Sequence, residues 1–287
     1  MASGQLGQGP NGHTLVLPTP FAPIPLNPED DDTNDDEKSD DELSILHLPH
    51  WIYARSDLGT GPKDLRVRGG RVIPQRFVVA DQDAPPESLF RIGIRFNPTP
   101  PVRRFLNLED SRQVLVFAYG ACLDSGTRKA RAGCAIVYRD STISPQVSGY
   151  ARFRMEKEGP TGEKHPPTGD RADLRAAIAA LRFRCWVEEG FASLVLAIPS
   201  DYVVDGITNK VRTWKVNGWK TNTRAPVRNR DLWLCLLGEI ERWHEQDLEV
   251  YFWRIKREWN LHADRKARKA ADDTPRDKYM DICGLFV

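Results

Sequence analysis

The sequence has no apolar run near the roughly 20 residues that cross a membrane as a helix. Its most apolar N-terminal stretch, TLVLPTPFAPIPL, is broken by four prolines and has no Lys or Arg before it. Neither a membrane span nor a secretory leader is expected, which points to an intracellular protein of cytoplasm or nucleus. A CxxC pair is also missing. The five cysteines, Cys122, Cys134, Cys185, Cys235 and Cys283, are scattered and odd in number. That pattern favours reduced thiols inside a cell over a disulfide framework or a zinc site. The histidines at 13, 47, 50, 165, 244 and 262 show no ligand spacing. There is no glycine loop to cradle a phosphate and no nucleophile elbow around a serine.

Charge is distributed unevenly. Residues 1–28 carry none, and residues 29–42, EDDDTNDDEKSDDE, hold ten acids and one lysine. The chain's net charge of +1 therefore leaves +10 on residues 43–287. A basic body behind an acidic segment suits a polyanionic partner and a competitor for it in the same chain. Deleting residues 29–42 is then expected to tighten binding at low salt. The stretch 206–230, GITNKVRTWKVNGWKTNTRAPVRNR, has seven basic residues and no acid. Cations meet phosphates and flat rings pack on sugars or bases, so Lys210, Arg212, Trp214, Lys215, Trp219, Lys220, Arg224 and Arg228 are candidate nucleic-acid contacts. A second basic cluster is Arg265, Lys266, Arg268 and Lys269.

Residues 1–44 are poor in periodic apolar residues and are expected to be a disordered acidic tail. Residues 45–108 read as an irregular N-terminal extension of short strands and loops, with PTPP at 98–101 as a boundary. Regular patterning begins near 112. VLVFAY, AGCAIVYR and YARFRM are strand-like, and RADLRAAIAALRFRCWVEEG reads as a helix with Asp170 as N-cap, Leu174, Ile178 and Leu181 on its apolar face, and Gly190 after its end. SLVLAI is a buried strand. Helical segments follow around 201–215 and 229–245, then a strand at 248–255 and a helix at 260–272. This order is an α/β layered fold with a mixed sheet.

Four stretches carry a family likeness: VFAYGACLDSG with RAGCAIVYR, TGDRADLRAAIAALRFR, IPSDYVVDGITNKVRTWKVNGWK with PVRNRDLW, and FWRIKREWNLHADRKA. In this order and spacing they resemble ribonuclease H, in the form common in fungal genomes. The resemblance implies a ribonuclease H-like domain over 109–275, a five-stranded mixed sheet flanked by helices, and a C-terminal tail over 276–287. It also implies hydrolysis of the RNA strand of RNA–DNA hybrids with two divalent metals, Mg²⁺ or Mn²⁺, held by four carboxylates. Here Tyr119 stands at the first of those positions, Asp173 replaces a glutamate, and Pro199 replaces an aspartate. Asp264 alone matches outright.

A tyrosine phenol is neutral at pH 7 and a poor Mg²⁺ ligand. Proline has no ligand to offer, and Asp173 is shorter than glutamate by about 1 Å of reach. Only Asp173 and Asp264 remain as catalytic and metal-binding candidates, enough for at most one weakly held ion. The resemblance therefore implies a ribonuclease H-like protein, monomeric, that binds RNA–DNA hybrid or duplex and has impaired or no catalysis, with no membrane partner. Two alternatives stand beside it. One is an active two-metal hybrid ribonuclease in which Asp201, Asp124 or another acid completes the ligand set. The other is a protein-interaction scaffold.

Overall fold

Runs rich in Val, Ile, Leu and aromatic residues, punctuated by Gly and Pro, form the strands of the computed structural model, which describes residues 52–55 (backbone only), 71–98, 101–139 and 149–284. In chain order these form β1 (Ile52–Arg55), β2 (Gln75–Arg76), α1 (Pro86–Leu89), β3 (Phe90–Arg95), β4 (Val102–Asn107), β5 (Gln113–Leu123), β6 (Arg131–Val137) and β7 (Tyr150–Arg154). Then follow α2 (Gly169–Arg182), β8 (Ser193–Ile198), α3 (Asp201–Asp205), α4 (Val211–Val216), α5 (Arg230–His244), β9 (Glu249–Arg254), α6 (Leu261–Ala270) and β10 (Asp281–Gly284). The expected acidic tail over residues 1–44 lies outside the described residues.

β5 is apolar on both faces, as a central strand between two helical layers must be. Val114, Val116 and Ala118 face α2, and Leu115 and Phe117 face the other side. β8 pairs parallel with β5, and β9 pairs parallel with β8. β6 and β7 continue antiparallel on the opposite edge of β5. The core order β7-β6-β5-β8-β9 is the five-stranded mixed sheet that the resemblance implies.

Residues 71–107 add to this sheet. β3 and β4 form an antiparallel hairpin, and β4 joins β5 at Phe105↔Leu115 and Leu106↔Val114. β4 thus flanks the first half of β5, and β6 flanks Phe117–Leu123 on the same edge. β2 adds parallel to β9, giving eight strands among the described residues. The PTPP stretch therefore lies between two paired strands, not at a break between separate units. A buried ion-pair cluster fixes the hairpin. Arg104 donates to Glu189 through Nε (2.8 Å) and Nη2 (2.7 Å), and Arg184 Nε donates to the same carboxylate at 2.6 Å. β1 and β10 pair antiparallel in a separate two-stranded sheet.

α2 differs from its sequence reading at both ends. Thr168, not Asp170, is the N-cap, with its hydroxyl accepting from the Arg171 N–H at 3.2 Å. The helix stops at Arg182, where Trp186 turns back and its indole Nε1–H donates to the Ala180 carbonyl at 3.2 Å. Gly190 (φ 83°) closes that later turn. Leu174, Ile178 and Leu181 are fully buried, as their spacing predicts. Alanines at 172, 176 and 179 let α2 approach β5 closely. A Cβ on Gly120 would lie 2.1 Å from the Ala172 carbonyl carbon, so only glycine fits there. α5 covers α2, its Trp243 Nε1–H donating to the Leu181 carbonyl at 3.0 Å, and α6 packs on the other face of the sheet through Ala263 and Ala267.

Candidate functional site

The four positions singled out by the resemblance converge at the middle of β5, the C-terminal end of β8 and the starts of α2 and α6. Tyr119 leaves β5 on the α6 face and packs with Ala121, Ala135 and Ala267. Burial raises its phenol pKa further, and the charges of Asp264 and Asp173 add to this while Arg257 and Arg268 oppose it, so the phenol stays neutral. Asp173, in the first turns of α2, accepts the backbone N–H of Gly120 at 2.8 Å through Oδ1 and a hydrogen bond from the Ser200 hydroxyl. Burial nevertheless pushes its carboxyl up to about 7, with Asp170 and Asp264 adding repulsion. Pro199 follows β8 and brings no polar side chain. Ser200, the N-cap position of α3, turns its hydroxyl to Asp173 instead of capping that helix.

Asp264 is buried, and both its oxygens are taken by arginines. Arg257 donates to Oδ2 from Nε (3.1 Å) and Nη2 (2.7 Å), and Arg268 Nε donates to Oδ1 at 2.7 Å. The Arg257 guanidinium also lies 5.8 Å from the centre of the Tyr119 ring. Asn260 ties this corner to the sheet, donating to the Ala118 carbonyl at 3.0 Å. Neither guanidinium was assigned to the site from the sequence. Arg268 could have been found by its i, i+4 spacing from Asp264 on one helix face. Arg257 sits seven residues before Asp264, across a 3₁₀ turn at Arg257–Asn260, and no local rule links the two.

The other acids considered for the site are engaged elsewhere. Asp201 is exposed and pairs with Arg254 (Nε–Oδ1 2.5 Å). Asp124 sits in the β5–β6 turn and pairs with Arg131. Asp170, the residue expected to cap α2, is exposed; burial of its remaining surface raises its carboxyl and Arg228 opposes that.

The basic stretch forms a protrusion after α3: a π-helical turn at Gly206–Lys210, α4, and a loop closed by the Lys220–Pro226 bridge. Gly218 and Trp219 both adopt positive φ to make the turn. Trp214 and Trp219 are half-buried against the core. Trp214 meets the Trp233 ring edge-on at 5.3 Å, and Arg230 lies over Trp219 at 5.7 Å. The two rings therefore anchor the protrusion more than they present faces for stacking. Lys210 pairs with Asp205 at 2.9 Å, which removes it from the set of open cations. Arg212, Lys220, Arg224 and Arg228 are exposed. Lys215 is half-buried.

The RNase H family pattern matches residues 111–272. The chain belongs to the ribonuclease H family. It is 34% identical over 143 residues to the ribonuclease H of Jannaschia sp. (strain CCS1), covering 46% of this chain and 88% of that one. It is 30% identical over 172 residues to that of Pseudomonas paraeruginosa (strain DSM 24068 / PA7), covering 59% and 100%. Among solved structures it is similar to LC9-RNase H1, a type 1 RNase H with the type 2 active-site motif. That match has 22% identity and a TM-score of 0.39, over 61% of this chain and 78% of that chain. The assignment rests on the sequence matches.

Ribonucleases H generally use divalent metals. The residues at the four positions that the resemblance implies do not supply the carboxylates for a pair of them: two are Tyr119 and Pro199, and Asp264 already has both oxygens in ion pairs. Among the described residues no group of three or more His, Cys, Asp or Glu side chains is disposed to hold a metal. Among those residues, likewise, no helix is long and apolar enough to cross a membrane.

Proposed function

We propose that this ribonuclease H domain binds RNA–DNA hybrid or a related duplex and does not cut it by the two-metal route. The observation that carries the reading is Asp264: the carboxylate that matches the family outright is held by Arg257 and Arg268, beside Tyr119 and Pro199 where further carboxylates would be needed. A divalent ion would have to displace two guanidiniums from a buried carboxylate and would find few hard oxygens in return. The exposed cations of the protrusion support retained binding, since phosphate contact needs charge and not the carboxylate set.

The test is cleavage of a labelled RNA–DNA hybrid with Mg²⁺ and with Mn²⁺. Wild type is compared with a Tyr119→Asp, Asp173→Glu, Pro199→Asp variant, with and without Arg257→Ala. No cleavage by wild type is expected, with activity gained only in the restored variants and most in the one lacking Arg257. Wild-type cleavage that Asp264→Asn abolishes would refute the reading and favour an active enzyme with an unusual ligand set.

A further inference from the structure

The former metal centre carries fixed positive charge. Arg257 and Arg268 come from different elements, the 3₁₀ turn and α6, and meet on opposite oxygens of one buried carboxylate. Each guanidinium has about five N–H donors. Asp264 engages only Nε and Nη2 of Arg257 and Nε of Arg268. The side chains remain 54% and 49% exposed, while Asp264 is only 8% exposed. Two cations thus stand over one buried anion, with donors to spare at the surface. Tyr119 flanks Arg257 with a neutral ring and adds no opposing charge.

We propose that Arg257 and Arg268, oriented by Asp264, form a phosphate clamp that grips the nucleic-acid backbone without any divalent ion. The proposal rests on the binding function argued above and says how the converted centre takes part in it. A carboxylate-rich centre repels a phosphate until metals neutralise it. Here the neutralising charge is covalently part of the chain. Asp264 is a positioning residue in this arrangement: it fixes the two guanidiniums and partly offsets their charge.

The experiment is fluorescence anisotropy of the full chain with a short labelled RNA–DNA hybrid, titrated over a salt series in EDTA and in Mg²⁺ at matched ionic strength. Wild type should bind at least as tightly in EDTA as in Mg²⁺. The Arg257→Gln, Arg268→Gln variant should lose about tenfold in affinity and reduce the salt slope by about 2, the counterions of two phosphate contacts. Asp264→Asn leaves both cations in place and removes only the charge that orients them, so it should change the affinity by less than the double glutamine variant does and leave the salt slope unchanged. Thermal unfolding checks that each variant is folded. The Arg257→Gln, Arg268→Gln, Asp264→Asn variant repeats the test with no charged carboxylate left buried without its partners. Binding that requires Mg²⁺, a salt slope lowered by Asp264→Asn as much as by the glutamine variants, or an unchanged salt slope in the glutamine variants would overturn the clamp. If Arg212→Ala, Arg224→Ala, Arg228→Ala abolishes binding and the glutamine variants do not alter it, the clamp falls and the binding function stands. If wild type binds no hybrid in either condition, both fall.

Discussion

At the scale of single residues, the site contains two carboxylates in unlike states. Asp264 is held between two guanidiniums, and Asp173 is half-buried with a backbone N–H and a hydroxyl for company. Asp173 has a folded pKa raised from 3.8 to about 7. Between those values the folded chain holds a proton that the unfolded chain releases, so stability falls as pH rises through this window and the penalty is complete above it. Asp173→Asn removes the penalty and keeps an oxygen to accept from Gly120. It should stabilise the protein by about 1–3 kcal/mol more at pH 8 than at pH 5 in urea unfolding. An equal effect at both pH values would mean that Asp173 is ionised in the folded state throughout. Tyr119, Asp173, Pro199 and Asp264 were singled out on the resemblance, because each sits in a short stretch with its own pattern. Arg257 was not, because its partner is fixed by how the chain turns between β9 and α6.

At the scale of elements, the strands of residues 112–272 were legible as short apolar runs, continuous in β8 and alternating in β7, and the helices by apolar residues about 3.6 apart. The misread end of α2 has a local cause. Trp186 satisfies its indole N–H on the helix's own Ala180 carbonyl, and folding back to do so ends the helix. The protrusion shows the limit of composition as a guide. Tryptophans among basic residues suggested stacking platforms, yet Trp214 rests on Trp233, and Trp233 hydrogen-bonds Tyr202 at 3.3 Å. Trp214→Ala should therefore lower stability by about 2–4 kcal/mol and weaken hybrid binding together, as a lost anchor would. Trp214→Phe should recover most of both. Normal stability with binding alone lost would instead assign the ring to the nucleic acid.

At the scale of the whole molecule, the N-terminal extension was only half legible. Short apolar runs marked β2 and β3, but β4, VRRFLN, carries two arginines among its apolar residues, and its antiparallel pairing with β5, the next strand in the chain, went unread. What fastens the hairpin is non-local: Arg104, buried, reaches Glu189 beyond α2. Removing one partner of such a buried cluster leaves the others uncompensated. Glu189→Ala should cost about 3–5 kcal/mol, while replacing the whole cluster, Arg104→Met and Arg184→Met with Glu189→Leu, should lie within about 1 kcal/mol of wild type or above it. Chemical denaturation measures both. A small effect of Glu189→Ala would mean that the hairpin is held by its strand pairing alone.

The grip of Arg257 and Arg268 on Asp264 also sets the order in which this centre could be altered by stepwise change. A carboxylate introduced at 119 with Arg257 in place would find a guanidinium waiting and become an ion pair, gaining no catalysis. Removing Arg257 first would leave buried Asp264 with one partner fewer and weaken the fold. Each first step is unrewarded, and Pro199 and the hold of Arg268 on Oδ1 would still stand in the way of a metal pair, so the centre is reached only through several changes that gain nothing singly.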